Sequence, residues 1–224
     1  MIEIFPDLDA QADAASGATI QALAAGLAAR GLATLIGTGG RSPAPTYDRL
    51  AAADFDWGGV TVSLSDDRFV PATDPVSNER LVRERLLVGP AAAASFQPLR
   101  YAVSTETASA EAAEPHLRAL APYDMLLLGM GEDGHVASLI PGSPVLEAGM
   151  DLAGARFVIG VPAGVGAPPI ARISLTLAAL LAARATLILI SGVAKREIVE
   201  RGSGLPVHAV LKQAKAPVRV LWTP

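Results

Sequence analysis

A glycine-rich turn that presents one histidine is the most informative feature of the sequence. The apolar run 123–128 is followed at once by Gly-Met-Gly-Glu-Asp-Gly-His at residues 129–135. A buried strand that ends in such a tight loop brings backbone amides, the Asp133 carboxylate and the His135 imidazole together. Because an imidazole titrates near neutral pH, the pattern predicts proton transfer by His135. A histidine that is simply hydrogen-bonded to a backbone carbonyl is the alternative interpretation.

A second glycine-rich segment, Gly37–Pro43, links a predicted strand to a predicted helix that starts at Ser42-Pro43, with Ser42 as its cap. Its glycines allow the backbone to approach a ligand closely, and a helix start supplies free amides and a partial positive charge. These features favour phosphate binding. The alternative is an ordinary turn that uses glycine for its backbone angles. The predicted contacts are Thr38, Gly39, Gly40, Arg41 and Ser42.

Three further polar sites lie next to predicted strands or helices: the run Asp66–Arg68, Arg172 and Lys195. Asp66–Arg68 comes directly after the strand Val60–Leu64, where the planar fork of Arg68 suits an anion. A solvated charged turn is the alternative for this run. Arg172 precedes an apolar segment that reads as a helix. Lys195 stands at the start of a helix, where its charge opposes the helix dipole unless an anion lies nearby.

Short apolar runs alternate with helical patterns along the chain, which predicts a parallel α/β sheet with helices on both faces. Ligands of such sheets bind beyond the carboxyl ends of the strands, and the polar clusters all fall at those ends. No boundary signal divides residues 1–224, so one domain is expected, with a loop at 163–169. The predicted strands are Leu32–Ile36, Val60–Leu64, Met125–Leu128, Phe157–Val161, Thr186–Ile190 and Val218–Trp222.

Composition narrows the classes of function. The chain has 224 residues, of which 51% are hydrophobic, so a substantial core is expected. It has no cysteine, which excludes disulfides and thiolate metal sites. The net charge is −4 and there is no basic block, so nucleic acid is not an expected partner. No leader or membrane-spanning run is visible, and the expected location is the cytoplasm.

The glycines at 129, 131 and 134 also fit the spacing of a dinucleotide-binding fingerprint. A true fingerprint opens a long helix directly after the third glycine. Here Pro141 and Pro144 would interrupt such a helix within about two turns. The acidic residues and histidines also lack the spacing of metal ligands. The sequence therefore predicts neither a nicotinamide cofactor nor a metal.

Taken together, these blocks resemble the 6-phosphogluconolactonases of the glucosamine-6-phosphate isomerase/deaminase superfamily. The blocks stand in the family's order from about Leu32 to Lys195. The most specific match is leucine-glycine-methionine-glycine-x-aspartate-glycine-histidine at residues 128–135. Arg41 stands where the family usually has a small serine, and Asp67 stands where it has glutamate.

The resemblance implies a Rossmann-like parallel sheet of the kind shared by NagB, RpiA and CoA transferases. It implies hydrolysis of 6-phospho-D-glucono-1,5-lactone by a monomer or weak homodimer, without metal or cofactor. In that reaction His135 takes a proton from water, Asp133 holds its ring, and amides of the glycine loops together with Arg68 stabilise the oxyanion. Besides the phosphate loop, the implied substrate contacts are Asp67, Gly131, Arg172 and Lys195. Which of the cations holds the phosphate stays open.

Two alternatives are weighed against this interpretation. An amino-sugar-phosphate deaminase or isomerase carries an Asn-Glu-Pro element shortly after the glycine-histidine loop, but this chain has Ser138-Leu139-Ile140-Pro141 there. A non-catalytic sugar-phosphate-binding protein would keep the phosphate contacts and leave His135 and Asp133 idle. Ammonia release would favour the first alternative, and ligand binding without hydrolysis would favour the second.

Overall fold

The computed structural model describes residues 2–154 and 156–224. This part of the chain forms ten strands and eight α-helices. The strands are β1 (Ile2–Ile4), β2 (Ala33–Gly37), β3 (Val60–Leu64), β4 (Asp66–Arg68), β5 (Ser95–Phe96), β6 (Met125–Gly129), β7 (Val158–Val161), β8 (Arg172–Leu175), β9 (Thr186–Ser191) and β10 (Val218–Thr223). The helices are α1 (Leu8–Arg30), α2 (Ala44–Ala52), α3 (Asn78–Arg85), α4 (Glu106–Leu120), α5 (Leu146–Met150), α6 (Leu177–Leu180), α7 (Val193–Arg201) and α8 (Pro206–Gln213).

Seven of the strands form one sheet in the order β1-β10-β9-β6-β2-β3-β5, and every pairing in it is parallel. Helices flank this sheet on both faces, which confirms the predicted Rossmann-like α/β class. The central strands are continuous apolar runs, because both of their faces are covered. Leu126, Leu127 and Leu128 of β6 are fully buried, as are Leu35 and Ile36 of β2.

The strand order places a switch point beside β2. From β2 the chain moves to β3 on one side and later returns to β6 on the other side. The loops that follow β2 and β6 therefore leave neighbouring strands toward opposite faces, which opens a crevice at the carboxyl edge of the sheet. These two loops are the glycine-rich segments at 37–43 and 129–135.

The predicted strand Phe157–Val161 exists, but its place in the parallel sheet was wrong. It forms β7 in a separate antiparallel sheet of order β4-β8-β7, where Val161 lies opposite Arg172. The connection from β7 to β8 is a loop without a helix, and such a connection permits only antiparallel pairing. The same sheet makes Asp66–Arg68 a short strand, whereas the solvated-turn alternative expected exposed charges. It also makes Arg172–Leu175 a strand ahead of α6.

Glycine and serine cap two of the helices. Gly31 ends α1 with φ of 71°, and the Ser77 hydroxyl accepts a hydrogen bond from the Arg80 amide at the start of α3. The predicted cap at Ser42 was wrong. The Ala44 amide instead bonds to the Arg41 carbonyl, so Ser42 lies inside a turn and α2 begins after Pro43, with no side-chain cap among the described residues.

Within residues 2–154 and 156–224, no helix combines the length and the apolar character that crossing a membrane requires.

Candidate active site

A cavity of about 480 Å³ opens at the carboxyl ends of β2, β6 and β9. It brings the two glycine-rich loops together, so His135 and the turn at 38–42 face the same space. Of the predicted site residues, only Asp133 and Asp67 do not line it. Those that do are Thr38, Gly39, Gly40, Arg41, Ser42, Arg68, Gly131, His135, Arg172 and Lys195.

A hydrogen bond to Asp133 orients the His135 imidazole. His135 Nδ1 lies 2.5 Å from Asp133 Oδ1, and the same oxygen accepts the His135 amide at 3.2 Å. Because a carboxylate only accepts, Nδ1 carries the proton, and the lone pair of the neutral ring lies on Nε2. Burial alone would raise the pKa of Asp133, but attraction to His135 and the hydrogen bonds outweigh it, so this pKa is lowered. Asp133 therefore stays ionised and holds the ring tautomer.

A side chain at position 131 would displace this pair. A Cβ there would lie 2.2 Å from His135 Cε1 and Nδ1, and 2.6 Å from Asp133 Oδ1. The Gly131 amide also donates to the His135 carbonyl at 3.0 Å, which closes the turn. The loop thus folds back on itself so tightly that only a hydrogen atom fits between its backbone and the imidazole.

The loop after β2 is anchored at its beginning and exposed at its tip. The buried Tyr47 hydroxyl accepts from the Thr38 amide at 2.7 Å and donates to the Thr38 carbonyl at 2.6 Å. Gly39 packs on Asn78 so closely that a Cβ would lie 1.9 Å from Asn78 Oδ1. Gly40 has φ of 97°, which other residues rarely adopt. The loop is therefore a fixed backbone cradle, which is the arrangement that binds phosphate in other folds.

Arg68 points into the cavity because β4 and the start of α3 hold it. Its Nη1 donates to the Val76 carbonyl at 2.7 Å and to Asn78 Oδ1 at 2.8 Å. The Asn78 amide group in turn donates to the Asp66 carbonyl at 2.8 Å. Asn78 therefore connects Arg68, β4 and the glycine loop.

Asp67 lies behind this layer and not on the cavity. Its carboxylate accepts hydrogen bonds from the amides of Arg68, Asn78 and Glu79 at 2.6–3.0 Å, and from the Ser77 hydroxyl at 3.2 Å. The side chain is 1% exposed. The structure thus places Asp67 where it fixes the start of α3 and the Arg68 backbone, away from any ligand in the cavity.

This burial makes protein stability depend on the ionisation of Asp67. Burial raises its pKa to about 6, against the three backbone amides that lower it. Since this folded-state value exceeds the ordinary value of about 3.9, the folded protein binds a proton that the unfolded chain does not bind between those pH values. The stabilisation from this proton is fully present below the unfolded-state pKa, and it is lost as the pH rises through about 6.

We therefore expect Asp67→Asn to change how stability depends on pH. Asparagine cannot titrate, so between pH 7.5 and pH 5 the wild type should gain about 1–2 kcal/mol of unfolding free energy relative to the variant. Urea unfolding of both proteins at the two pH values measures this difference. A difference that is the same at both pH values would contradict the prediction.

Arg172 is the most buried cation of the cavity. It is 3% exposed, its Nη2 donates to the Pro168 carbonyl at 3.0 Å, and its Nη1 lies 3.9 Å from Asp66 Oδ2. Burial lowers the pKa of Arg172 and the nearby Arg68 charge adds to this, whereas Asp66 opposes it. Nε of Arg172 has no hydrogen-bond partner within the described residues. The Arg68 Nε is also buried without a partner in the described chain, so these two neighbouring guanidiniums carry charge that is only partly paired and that an anion in the cavity would compensate.

The cavity is positively charged although the whole chain is acidic. Arg41, Arg68, Arg172 and Lys195 line it, and Asp66 is the one carboxylate among the described lining residues. Lys195 enters from the first turn of α7, where its charge opposes the helix dipole. An anionic ligand would relieve both the mutual repulsion of these cations and that opposition.

Sequence reasoning missed three polar residues of this region. Asp66 and Asn78 line the cavity, and Ser138 donates to Asp66 Oδ2 at 2.6 Å from behind it. Asp66 belongs to the charged run 66–68, but no neighbouring residue in the sequence indicated that its side chain would be buried. Asn78 is the first residue of α3, and its role depends on contacts with residues ten or more positions away.

The described residues contain no group of three or more histidine, aspartate or glutamate side chains that could hold a metal ion. The cavity instead offers an oriented imidazole, two glycine-rich backbones and four cations. This set can move a proton beside a bound anion, which is the chemistry that the sequence predicted.

Comparison with known proteins shows which family the chain belongs to. The family model for glucosamine-6-phosphate isomerases/6-phosphogluconolactonase matches residues 6–222. A 6-phosphogluconolactonase of Caulobacter vibrioides is 46% identical over 99% of this chain and 96% of its own length, and one of Rhizobium meliloti is 38% identical over 100% and 98%. The crystal structure of a 6-phosphogluconolactonase from Shewanella baltica superposes with a TM-score of 0.94 at 32% identity, covering 100% of this chain and 97% of that one. The chain belongs to the glucosamine-6-phosphate isomerase/6-phosphogluconolactonase family.

Proposed function

We propose that this protein hydrolyses 6-phospho-D-glucono-1,5-lactone to 6-phospho-D-gluconate, the ring-opening step of the oxidative pentose phosphate pathway. The observation that carries the proposal is the His135 imidazole, oriented by Asp133 and facing a cavity lined by four cations. The names of the relatives support the same substrate. The proposal includes a cytoplasmic location and a chain that works as a single domain.

In this mechanism, His135 Nε2 takes a proton from water while the water oxygen attacks the lactone carbonyl carbon. The guanidinium of Arg68, or amides of the glycine loops, stabilise the negative charge that develops on the carbonyl oxygen. The bond from the carbonyl carbon to the ring oxygen then breaks, and the imidazolium returns the proton to that oxygen. Asp133 favours the imidazolium during this cycle because it stays ionised.

The phosphate is held away from the reacting carbonyl. Arg172, Lys195 and Arg41 supply positive charge, and the backbone at Thr38–Ser42 supplies amides. Binding energy at the phosphate then fixes the lactone ring against His135, which turns a bimolecular attack into an oriented one. Asp67 contributes by holding Arg68 and α3 in place rather than by touching the substrate.

The direct test is turnover of freshly prepared phosphogluconolactone, measured as release of 6-phosphogluconate above the spontaneous rate. A parallel reaction with glucosamine 6-phosphate, followed by ammonia release, tests the deaminase alternative. Lactone hydrolysis without ammonia release supports the proposal. Ammonia release, or phosphosugar binding with hydrolysis at the spontaneous rate, contradicts it.

Gly131→Ala tests the fit between the loop and the imidazole. The added methyl group would overlap His135 and Asp133, so the ring must move. We expect kcat for lactone hydrolysis to fall about tenfold, because small displacements of a catalytic group are costly. Gly17→Ala is the matched control, since a Cβ there meets nothing within 4 Å. The control should keep full activity, and an active Gly131→Ala protein would contradict the close fit.

A further inference from the structure

The buried His208 makes two directed hydrogen bonds that the proposed mechanism does not use. It lies in the first turn of α8 and is 4% exposed. Its Nε2 lies 2.8 Å from the Ile198 carbonyl, and its Nδ1 lies 3.2 Å from the Leu205 amide. Because a carbonyl only accepts and an amide only donates, Nε2 carries the proton and Nδ1 accepts. The ring thus connects the last turns of α7 with Leu205, the residue just before α8.

The start of α8 contacts the catalytic loop directly. The Val207 amide donates to the Gly134 carbonyl at 3.1 Å. The Leu205 side chain packs on Gly134 so closely that a Cβ there would lie 2.6 Å from Leu205 Cδ1. Gly134 has φ of 77° and immediately precedes His135. The residues on both sides of Pro206 therefore hold the backbone that presents the imidazole.

The other end of the connection is fixed to the main sheet. The Gly192 amide, just before α7, donates to the Thr223 carbonyl at 2.9 Å, and the Trp222 indole donates to the Gly192 carbonyl at 2.8 Å. The chain between α7 and α8, residues 202–204, is exposed. The Gly202 amide donates to the Ile198 carbonyl at 2.9 Å, and His208 Nε2 approaches the same carbonyl. The Ser203-Gly204 backbone that follows is exposed, so the imidazole of His208 is a direct side-chain connection between α7 and the start of α8.

We propose that His208 is a positioning residue for His135: it holds the start of α8 on α7, and α8 in turn holds the Gly134 backbone that orients the catalytic imidazole. The inference rests on the proposed function for its kinetic readout. Its structural part, that the environment of the His135 ring depends on His208, stands independently of the substrate.

Three substitutions separate the two hydrogen bonds. In His208→Asn the amide oxygen takes the position of Nδ1 and can accept from Leu205, while the bond to Ile198 is lost. In His208→Gln the amide nitrogen can reach the Ile198 carbonyl, while the bond to Leu205 is lost. His208→Leu keeps the apolar volume and removes both bonds. His116→Leu is the matched control, because His116 is an exposed residue of α4 stacked on Tyr101.

We expect His208→Leu to lower kcat for lactone hydrolysis about tenfold or more, with KM within about twofold of the wild type, because the phosphate contacts stay in place while the base moves. His208→Asn and His208→Gln should each recover part of kcat. In the ligand-free proteins, the imidazole NMR signals of His135 should shift in His208→Leu and not in His116→Leu.

A His208→Leu protein with kcat within about twofold of the wild type would overturn the proposal, as would unchanged His135 signals. If His208→Leu does not fold, Leu205→Ala is measured in its place, because it removes the packing on Gly134 while both imidazole bonds remain. An unchanged kcat together with unchanged His135 signals in Leu205→Ala would overturn the proposal. A wild type without lactonase activity would refute the proposed function alone, since the NMR comparison would still test the coupling between the two histidines.

Discussion

Replacing His135 with asparagine should lower kcat for phosphogluconolactone hydrolysis by about 10²–10⁴-fold, the usual contribution of a general base. Asparagine remains polar and its amide takes the position of Nδ1, but no atom replaces Nε2 and the amide cannot accept a proton at neutral pH. The phosphate contacts are untouched, so KM should change little. The remaining rate should still exceed the spontaneous rate, because oriented binding and the oxyanion contacts persist.

His116→Asn is the control for this experiment, since it makes the same chemical change on an exposed helix surface away from the cavity. Its kinetic constants should match those of the wild type. A His135→Asn enzyme with near-wild-type kcat would remove the general-base role, even if the protein remained a lactonase. In that case the base would have to be sought among the other groups that line the cavity, of which Asp66 is the carboxylate.

The parts of the fold that could be predicted from sequence are those encoded by local patterns. The run 125–128 is apolar at every position because β6 is covered on both faces. The loop after β6 is rich in glycine, because its backbone passes so close to the His135 imidazole that a Cβ at position 131 would overlap the ring. The pairing of His135 with Asp133 spans only two positions, so spacing alone was enough to suggest it.

The parts that could not be predicted depend on pairings between distant segments. The strand β1 has only three residues, and it exists because Ile2 to Ile4 pair with the far end of the chain in β10. The antiparallel sheet of β4, β7 and β8 also could not be predicted. An apolar run such as β7 has the same sequence pattern whether its strand pairs in an antiparallel hairpin or joins a parallel sheet. The buried contact between Ser138 and Asp66 spans 72 positions, and no local pattern indicates it.

Arg41 and Asp67, two residues that differ from those usual in the resembled family, lie in different environments. Arg41 is exposed at the tip of the loop after β2 and adds charge to the cavity. Asp67 is buried, and its shorter side chain still accepts hydrogen bonds from three amides. The first substitution therefore changes what the cavity offers a ligand, and the second changes only the layer that supports it.

Among the four cations of the cavity, Arg172 is expected to matter most for substrate affinity. Arg41 is exposed and Arg68 is half-buried, whereas Arg172 is 3% exposed. A buried guanidinium has lost most of its hydration, so it gains more from an anion than a solvated cation does. Its lowered pKa has burial as its largest cause.

Arg172→Met should therefore raise KM for the lactone about 10- to 100-fold, as expected for loss of a charge-assisted hydrogen bond worth about 1.5–3 kcal/mol. The change in kcat should be smaller, because His135 and Asp133 are untouched. Calorimetric titration with 6-phosphogluconate should show the same loss, and Arg172→Lys should recover part of it, since lysine restores the charge without the planar fork. Arg184→Met is the matched control, because Arg184 pairs with Asp124 at the amino ends of the strands. Equal KM values for the wild type and Arg172→Met would show that the phosphate binds elsewhere in the cavity, with Lys195 and the backbone at 38–42 as the remaining contacts.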